Sequence, residues 1–378
     1  MSGRTLGACA GVLAAVAIST LPLRDHEGEA RPSTALGTRE GRASSPATGI
    51  RAHLRDEALS HARLRLRDND RRALLAQPVD PTGALTGDSV ECRFVPSATG
   101  GTSFKFDCGL ADGKIIRVKY GHEPEIHAEV AATRLLAALG YASDHVYLVP
   151  HLRCHGCPPN PFLTTLVLDA IGLSANLERL RGTFKDFEWV SVERKFEAPP
   201  IEDDSRTGWA WWELKNVAAP RDDLDAMRML AVFLAHWDNK ADNQRLVCMD
   251  GDAVDTVPCR DPLLMIHDLG STFGPLKVNL SQWRQTPVWM DRATCTVSMR
   301  AMPYNGGTFT DARITEAARV RVGRELAAFT DDELRRWFAA AHFPEYYAAT
   351  DDGKDIAAWL QAYHYRVNQI LAAGPCPS

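Results

Sequence analysis

The polar stretch that decides the fold is His-Trp-Asp-Asn-Lys-Ala-Asp-Asn at residues 236–243, followed later by His-Asp-Leu-Gly at residues 267–270. Apolar residues at helical spacing run along residues 224–235, so a core helix precedes the first stretch. Two apolar runs with strand composition, at 245–248 and 263–267, are separated by a polar turn. The pattern therefore predicts a helix, a polar loop and a hairpin whose second strand leads directly into Asp-Leu-Gly.

This order of elements resembles the catalytic half of the protein-kinase-like superfamily. In that family a loop Asp orients or deprotonates the acceptor hydroxyl, and an Asn and a later Asp hold the metal bound to the phosphates. The resemblance implies the acceptor role for Asp238, with Lys240 near the transferred phosphate, and it assigns the metal to Asn243 and Asp268. The loop begins His-Trp-Asp instead of His-Arg-Asp and the hairpin is longer than usual, so the match is to atypical members, such as the HipA-like, phosphatidylinositol and secretory-pathway kinases.

The N-terminal half carries a second set of residues that match the same family. Lys119 ends a strand-like run, where kinases place a lysine that contacts the nucleotide phosphates. Its expected partner is a Glu on the next helix, and Glu129 falls within the apolar arc of that helix, where a carboxylate requires a cationic partner. Glu125 lies one turn earlier on the same side and is the rival. The helix spacing resembles the HipA-like helix better with Glu129.

A Gly-Gly pair, Gly100 and Gly101, lies between two strand-like runs, where kinases fold a glycine-rich loop over the phosphates. The sequence there is not G-x-G-x-x-G, and a Gly-Gly pair between strands is more often merely a turn. Both interpretations stay open, with the turn favoured on this pair alone. Lys105 follows the turn, and we interpret it as an exposed strand lysine in preference to a phosphate ligand.

Composition along the chain predicts an α+β fold with two unlike, kinase-like lobes. The strand-rich N-lobe is expected at 88–200, with a helix from Pro124 to Gly140, and the helical C-lobe at 201–378. Residues 25–87 are expected to form a flexible linker followed by a charged helix at about 51–77. The strand-like runs of the N-lobe are Glu91–Pro96, Ser103–Cys108, Lys114–Tyr120, His145–Val149, Thr164–Leu168 and Glu188–Glu193.

The first 24 residues have the features of an export signal, with Arg4 followed by an apolar stretch at 5–23. A cleaved signal peptide is our first interpretation. An uncleaved N-terminal anchor is the alternative, because the stretch is nearly long enough to span a bilayer. We therefore predict an exported protein, periplasmic or extracellular, with membrane attachment only through this segment.

The cysteine content also points to an oxidising compartment. Of the nine cysteines, Cys9 lies inside the apolar stretch, which leaves an even number for disulfides. The predicted pairs are Cys92–Cys108 and Cys248–Cys259, each across a polar turn, with Cys154–Cys157 and Cys295–Cys376 remaining. Zinc binding by the cluster His151, Cys154, His155 and Cys157, or redox exchange, is an alternative for the Cys-x-x-Cys segment.

The net charge of −5 and the lack of a long basic run argue against a nucleic-acid partner. The predicted function is transfer of a phosphoryl group from ATP, or another nucleotide, with Mg or Mn, to a protein, lipid or small-molecule hydroxyl. One alternative is a pseudokinase that uses the fold as a binding module. A less favoured alternative is a metal-dependent hydrolase built from His236, Asp238, Asp242, His267 and Asp268.

Overall fold

The structure is a computed structural model that describes residues 46–66, 75, 88–97, 103–170, 182–251, 257–275, 278–303, 306–346 and 353–377. All described residues belong to one compact unit. The predicted signal or anchor lies outside the described residues, as do most of the predicted linker and the pair Gly100 and Gly101. Within the described ranges, every helix is too short or too polar to cross a bilayer.

The described elements fall into a strand-rich first part and a helix-rich second part. The strands are β1 (Ser89–Val95), β2 (Lys105–Gly109), β3 (Ile115–Lys119), β4 (His145–His155), β5 (Phe184–Arg194), β6 (Gln244–Cys248), β7 (Pro262–Ile266), β8 (Thr296–Val297) and β9 (Ala312–Arg313). The helices are α1 (Pro46–Ser60), α2 (Pro124–Ala138), α3 (Pro161–Ala170), α4 (Arg221–Leu234), α5 (Leu280–Gln285), α6 (Glu316–Ala327), α7 (Asp331–Ala340), α8 (Phe343–Tyr346) and α9 (Ile356–Leu371).

The first five strands form a closed barrel in the order β1-β2-β3-β5-β4. The long strand β4 pairs antiparallel with β5 and also parallel with β1, from Ser89 opposite His151 to Arg93 opposite His155. This second pairing is what closes the sheet, and apolar side chains such as Phe106 and Val190 fill the interior. The predicted α+β class is confirmed, but a closed barrel is not a clear kinase N-lobe.

One predicted strand, Thr164 to Leu168, is wrong because this segment lies in helix α3. Proline suits the first position of a helix, and Pro161 occupies it here. The Asn160 carboxamide oxygen accepts a hydrogen bond from the Leu163 amide at 3.2 Å and so caps the helix start. The helix-start residues Asn160 and Pro161 therefore outweigh the strand-like composition of the segment that follows them.

The charged helix expected at about 51–77 is also shifted. Helix α1 begins at Pro46, inside the predicted linker, and ends at Ser60. Beyond it, the chain lies beside strand β7, where Arg63 N donates to Pro262 O at 2.9 Å and Arg63 O accepts from Leu264 N at 2.8 Å. Beyond Ser60 the chain thus pairs with a distant strand instead of continuing the helix. The local sequence pattern does not predict this pairing.

The helix-rich part packs around α4, which is buried along nearly its whole length, as its apolar spacing predicts. Aromatic rings dominate the centre, where Phe233 contacts both Trp283 and Tyr363. Arg366 is fully buried there and donates to four backbone oxygens, including Phe233 O at 3.0 Å. Hydrogen bonding on this scale is what makes a buried guanidinium tolerable.

Three of the four predicted disulfides are present: Cys92–Cys108, Cys248–Cys259 and Cys295–Cys376. The fourth prediction is wrong, since Cys154 and Cys157 are buried thiols. Cys154 lies opposite Cys92 in the β1–β4 register, and its Sγ is 3.8 Å from Cys108 Sγ. A hydrogen bond with Cys157, together with burial, raises the pKa of Cys154 above its usual range.

The zinc alternative for the same segment has no matching geometry. The His155 ring lies 3.2 Å from the Glu91 carboxylate, and within the described residues no three of His151, Cys154, His155 and Cys157 bring their ligand atoms within 4.8 Å of one another. Among the described residues, the sulfur cluster near Cys154 also contains Cys92 and Cys108, and those two are joined in a disulfide. Thiols in a disulfide are not available as thiolate ligands.

Candidate functional site

Lys119, the last residue of β3, is the centre of the candidate site. Its Nζ lies 2.9 Å from Glu129 Oε1 on α2 and 3.0 Å from Asp268 Oδ1, just after β7. Burial works to lower the pKa of Lys119, but the carboxylates of Asp268 and Glu129 together raise it well above its usual value. One buried cation thus joins the barrel, the helix and the hairpin end.

Of the two rival glutamates on α2, Glu129 is the one in contact with Lys119, and it is only 2% exposed. Glu125 instead accepts a hydrogen bond from the Ser103 hydroxyl at 2.5 Å. Gly270 follows the β6–β7 hairpin in sequence. A Cβ added at this position would lie only 2.9 Å from Glu125 Cβ. The Asp-Leu-Gly element is therefore packed directly against α2.

Asp268 has a backbone φ of 51°, in the left-handed region that non-glycine residues seldom adopt. Its side chain is 38% exposed, so one side of the carboxylate faces Lys119 and the rest stays accessible. The charge of Lys119 lowers the pKa of Asp268 well below its usual range. Asp268 is therefore an accessible carboxylate that stays ionised.

The loop residues lie at the open end of the β6–β7 hairpin. His267 N donates to Asn243 O at 3.1 Å, which brings Asn243 and Asp268 to neighbouring positions. The side-chain amide nitrogen of Asn243 donates to the backbone oxygen of Asp238 at 2.6 Å. Asp238 Oδ2 lies 3.3 Å from Lys240 Nζ, and burial raises the pKa of Asp238.

The loop is held from both sides by segments without a recognised motif. On one side, the amides of Thr308 and Phe309 donate to Asn239 Oδ1 at 2.9 and 2.8 Å. On the other side, Gly208 has a φ of 67°, and any Cβ there would overlap the carbonyl oxygens of Ala241 and Gln244. The loop conformation is consequently fixed by close backbone packing.

Helix α1 supports this packing through a buried ion pair. Arg55 donates to both carboxylate oxygens of Glu213 at 3.0 Å and to Gly208 O at 2.7 Å. A bidentate guanidinium–carboxylate pair fixes orientation as well as distance. Helix α1, which precedes the barrel in sequence, therefore helps to position the loop.

The hydrolase alternative required His236, Asp238, Asp242, His267 and Asp268 to converge on one or two ions. Over the described ranges, no three of them present ligand atoms within 4.8 Å of one another. Asp242 accepts from the Thr207 hydroxyl at 2.5 Å, and the His267 ring contacts Asp242 O at 2.7 Å. Burial lowers the pKa of His236 and of His267 to about 4. The geometry does not support a shared metal centre of this kind.

Asn243 and Asp268 fit the metal role better. Because the Asn243 nitrogen is committed to Asp238 O, its carboxamide oxygen is the atom left to face an ion. Asp268 uses Oδ1 for Lys119, which leaves Oδ2 accessible. Carboxylate and carboxamide oxygens are the ligands that Mg²⁺ and Mn²⁺ prefer, so the donor set matches these ions.

Sequence reasoning missed two residues of this region. Lys105 was expected to be exposed, yet it is only 9% exposed and lies directly opposite Lys119 in the β2–β3 register. The alternation of residues along the two strands could have predicted that Lys105 lies beside Lys119, since residues paired across two strands share one face. Gly208 gave no signal, because its role depends on a contact with a distant segment.

The likeness to known proteins is remote. No family model matches the chain, and no curated protein matches it significantly. A solved structure with some similarity is the Helicobacter pylori proinflammatory kinase CtkA, which has 11% sequence identity and a TM-score of 0.35. The match covers 75% of this chain and 94% of that chain. At this identity and TM-score the likeness supports no conclusion about function. Any proposal of function therefore rests on the geometry of the site.

Proposed function

We propose that this protein is an exported, atypical kinase that transfers a phosphoryl group from ATP, or another nucleotide, to a hydroxyl group. The observation that carries the proposal is Lys119, held 2.9 Å from Glu129 and 3.0 Å from Asp268. A lysine paired with a helix glutamate, next to an Asp-x-Gly carboxylate, is the arrangement that nucleotide-dependent phosphoryl transfer uses. In this proposal the barrel serves as the N-lobe and the helix-rich part as the C-lobe.

The barrel side of the site would hold the donor. Lys119 binds phosphate oxygens, and Glu129 fixes the position of the Lys119 side chain. Asn243 and Asp268 would hold a Mg²⁺ or Mn²⁺ ion, which neutralises negative charge on the phosphates when bound. Phosphoryl transfer needs little covalent help from a protein, so positioning and charge neutralisation account for most of the catalysis.

The loop side would bind the acceptor. The Asp238 carboxylate accepts a hydrogen bond from the acceptor hydroxyl, orients it and takes its proton as the hydroxyl oxygen bonds to phosphorus. The bond from phosphorus to the leaving oxygen of the nucleotide breaks in the same step. Burial raises the pKa of Asp238, which makes the carboxylate a better base. Lys240, 3.3 Å from Asp238, supplies positive charge beside the transferred group.

The class of acceptor is a protein, lipid or small-molecule hydroxyl, and a nucleic acid is not proposed because the chain has a net charge of −5. Export is supported by the three disulfides, which are typical of oxidising compartments. It is supported further by the signal-like sequence at the N-terminus. Any membrane attachment is proposed to be through that segment alone.

The test is a calorimetric titration of the full chain with ATP, with and without Mg²⁺ or Mn²⁺. We expect binding that depends on the metal, and we expect Asp268→Asn to weaken it by ~10–100-fold, because a charged ligand to the ion is lost. Asp242→Asn is the matched control. Its carboxamide oxygen can still accept from Thr207, so binding should not change.

Each outcome bears on a different part of the proposal. If the wild-type chain binds no nucleotide in the presence of metal, the kinase proposal fails. If it binds nucleotide and metal but neither phosphorylates itself nor hydrolyses ATP, the pseudokinase alternative is the better account. If Asp268→Asn binds as tightly as the wild type, the metal is held elsewhere.

A further inference from the structure

A second lysine shares the face of the barrel that carries Lys119. Lys105 in β2 is the direct register partner of Lys119 in β3. Residues opposite each other in an antiparallel pair project from the same face, with Cβ atoms about 5 Å apart. The two lysines are thus neighbours on one face of the barrel, at the edge of the candidate site, and their charges interact. The charge of Lys119 disfavours the ammonium of Lys105, and the nearby carboxylates of Asp268 and Glu129 offset this only in part.

In the neighbouring cross-strand pair, Asp107 and Arg117, opposite charges already neutralise each other. Asp107, the next residue of β2 on this face, accepts from Arg117 at 2.9 and 3.2 Å and from the Ser97 hydroxyl at 2.6 Å. Its carboxylate is therefore committed. In contrast, the carboxylates near Lys119 contact Lys119 itself, with Glu129 at 2.9 Å and Asp268 at 3.0 Å.

Lys105 is left without such a partner. It is only 9% exposed, and no hydrogen bond or ion pair joins its Nζ to any residue in the described ranges. The five residues before Ser103, Ala-Thr-Gly-Gly-Thr at 98–102, contain no carboxylate that could supply one. Burial, together with the charge of Lys119, lowers the pKa of Lys105. The Lys105 side chain is largely buried but its ammonium has no partner, so pairing with an incoming anion is favourable.

We propose that Lys105 and Lys119 form a two-lysine site for the oligophosphate of the donor, which selects nucleoside di- and triphosphates over monophosphates. A single cation can neutralise one phosphate group, whereas two adjacent cations match two consecutive groups. A metal ion held by Asp268 would neutralise part of the negative charge beside Lys119 and so strengthen the attraction of both lysines for phosphate. This proposal rests on the proposed function for the identity of the donor.

The test compares affinities of the full chain for ATP, ADP and AMP in Mg²⁺. Lys105→Gln removes the charge while keeping most of the side-chain length. We expect it to weaken ATP binding by at least ~10-fold, because a hydrogen bond to a charged group is lost. AMP binding should change by less than about 2-fold. Lys105→Arg should restore most of the ATP affinity, which a merely structural role of Lys105 would not predict.

Lys114→Gln is the control, since Lys114 precedes β3 and pairs with Glu197 at the surface. It should leave all three affinities unchanged. Unchanged ATP affinity in Lys105→Gln would overturn the two-lysine site. Equal weakening of ATP and AMP would overturn it as well, because the effect would then not depend on the added phosphates.

Inorganic tripolyphosphate separates failure of this inference from failure of the proposed function. If the wild type binds no nucleotide but binds tripolyphosphate, and Lys105→Gln loses that binding, the two-lysine site stands and the kinase proposal falls. If the wild type binds neither, both are overturned. Circular dichroism of each variant identifies any loss of folding, and Lys105→Arg then serves as the folded comparison.

Discussion

The two sides of the candidate site differ in how their charges are held. On the barrel side, Lys119 and Glu129 are buried and fixed in an ion pair. On the loop side, Asp238 and Lys240 keep 21% and 44% of their side-chain surface exposed. Water screens the second pair but hardly reaches the first. Under the proposed function, this difference would give the donor phosphates a preformed site and the acceptor a more open one.

The largest effect is expected from the loop side. Asp238→Asn keeps the shape of the residue but removes the base, so phosphoryl transfer should fall by ~10²–10⁴-fold. Nucleotide affinity should stay close to that of the wild type, because Asp238 is assigned to the acceptor. The measurement is a transfer or autophosphorylation rate beside a nucleotide titration.

Asp242→Asn is again the control, as it lies in the same loop but faces Thr207. Equal rates for Asp238→Asn and the wild type would show that Asp238 is not catalytic. A large loss of nucleotide affinity in Asp238→Asn would erase the distinction between the two sides.

An intermediate effect concerns acid stability, through the buried His127 on α2. Burial lowers the pKa of His127 to about 4, and its Nδ1 lies 2.9 Å from Ala341 O, with the His342 ring near by. The unfolded chain takes up a proton near pH 6.5, while the folded chain resists it. Stability is therefore complete above pH 6.5 and should fall by up to ~3 kcal/mol as the pH decreases to about 4.

Urea unfolding of the wild type and of His127→Gln between pH 7 and pH 4 measures this effect. The variant should lose less stability on acidification, because a glutamine at this position does not titrate. His236 and His267 also have pKa values lowered to about 4, so part of the slope should remain. A slope that is the same in both proteins would mean that His127 is protonated in the folded state.

The smallest effect is expected from Glu129→Gln, on the barrel side. Lys119 would keep Asp268 but lose one charged partner, so nucleotide affinity should decrease by ~10-fold. Glu125→Gln is the matched control on the same helix, since Glu125 bonds Ser103 and not Lys119. A stronger effect of Glu125→Gln than of Glu129→Gln would reverse the assignment of the helix glutamate.

Local patterns predicted much of this molecule correctly. The helix at 224–235 and the two strands of the β6–β7 hairpin are present within one to three residues of the predicted bounds. Their signals are short-range, since apolar periodicity and turn residues lie within the element itself. The hairpin disulfides Cys92–Cys108 and Cys248–Cys259 follow the same rule, because antiparallel pairing of strands adjacent in sequence brings the cysteines together.

Where distant segments compete, the local pattern is insufficient. Cys154 was expected to pair with its neighbour Cys157, but strand β4 places it opposite Cys92 instead. Lys105 was expected to be exposed, but it is largely buried on the barrel face that carries Lys119. In both cases a register between strands decides which face a residue occupies, and register is set by packing of the whole sheet.

The sequence by itself determined the candidate residues and their order, because Lys119, Glu129, Asp238, Asn243 and Asp268 each lie in a recognisable local context. Only the tertiary structure decided which of them touch: the ion pairs of Lys119 join three elements that are 10 and 149 positions apart in the chain. It also decided that the strands close into a barrel and that Gly208 supports the loop. Such contacts depend on long-range packing, in which the free energy of burial is shared among many residues and leaves no trace in any single stretch.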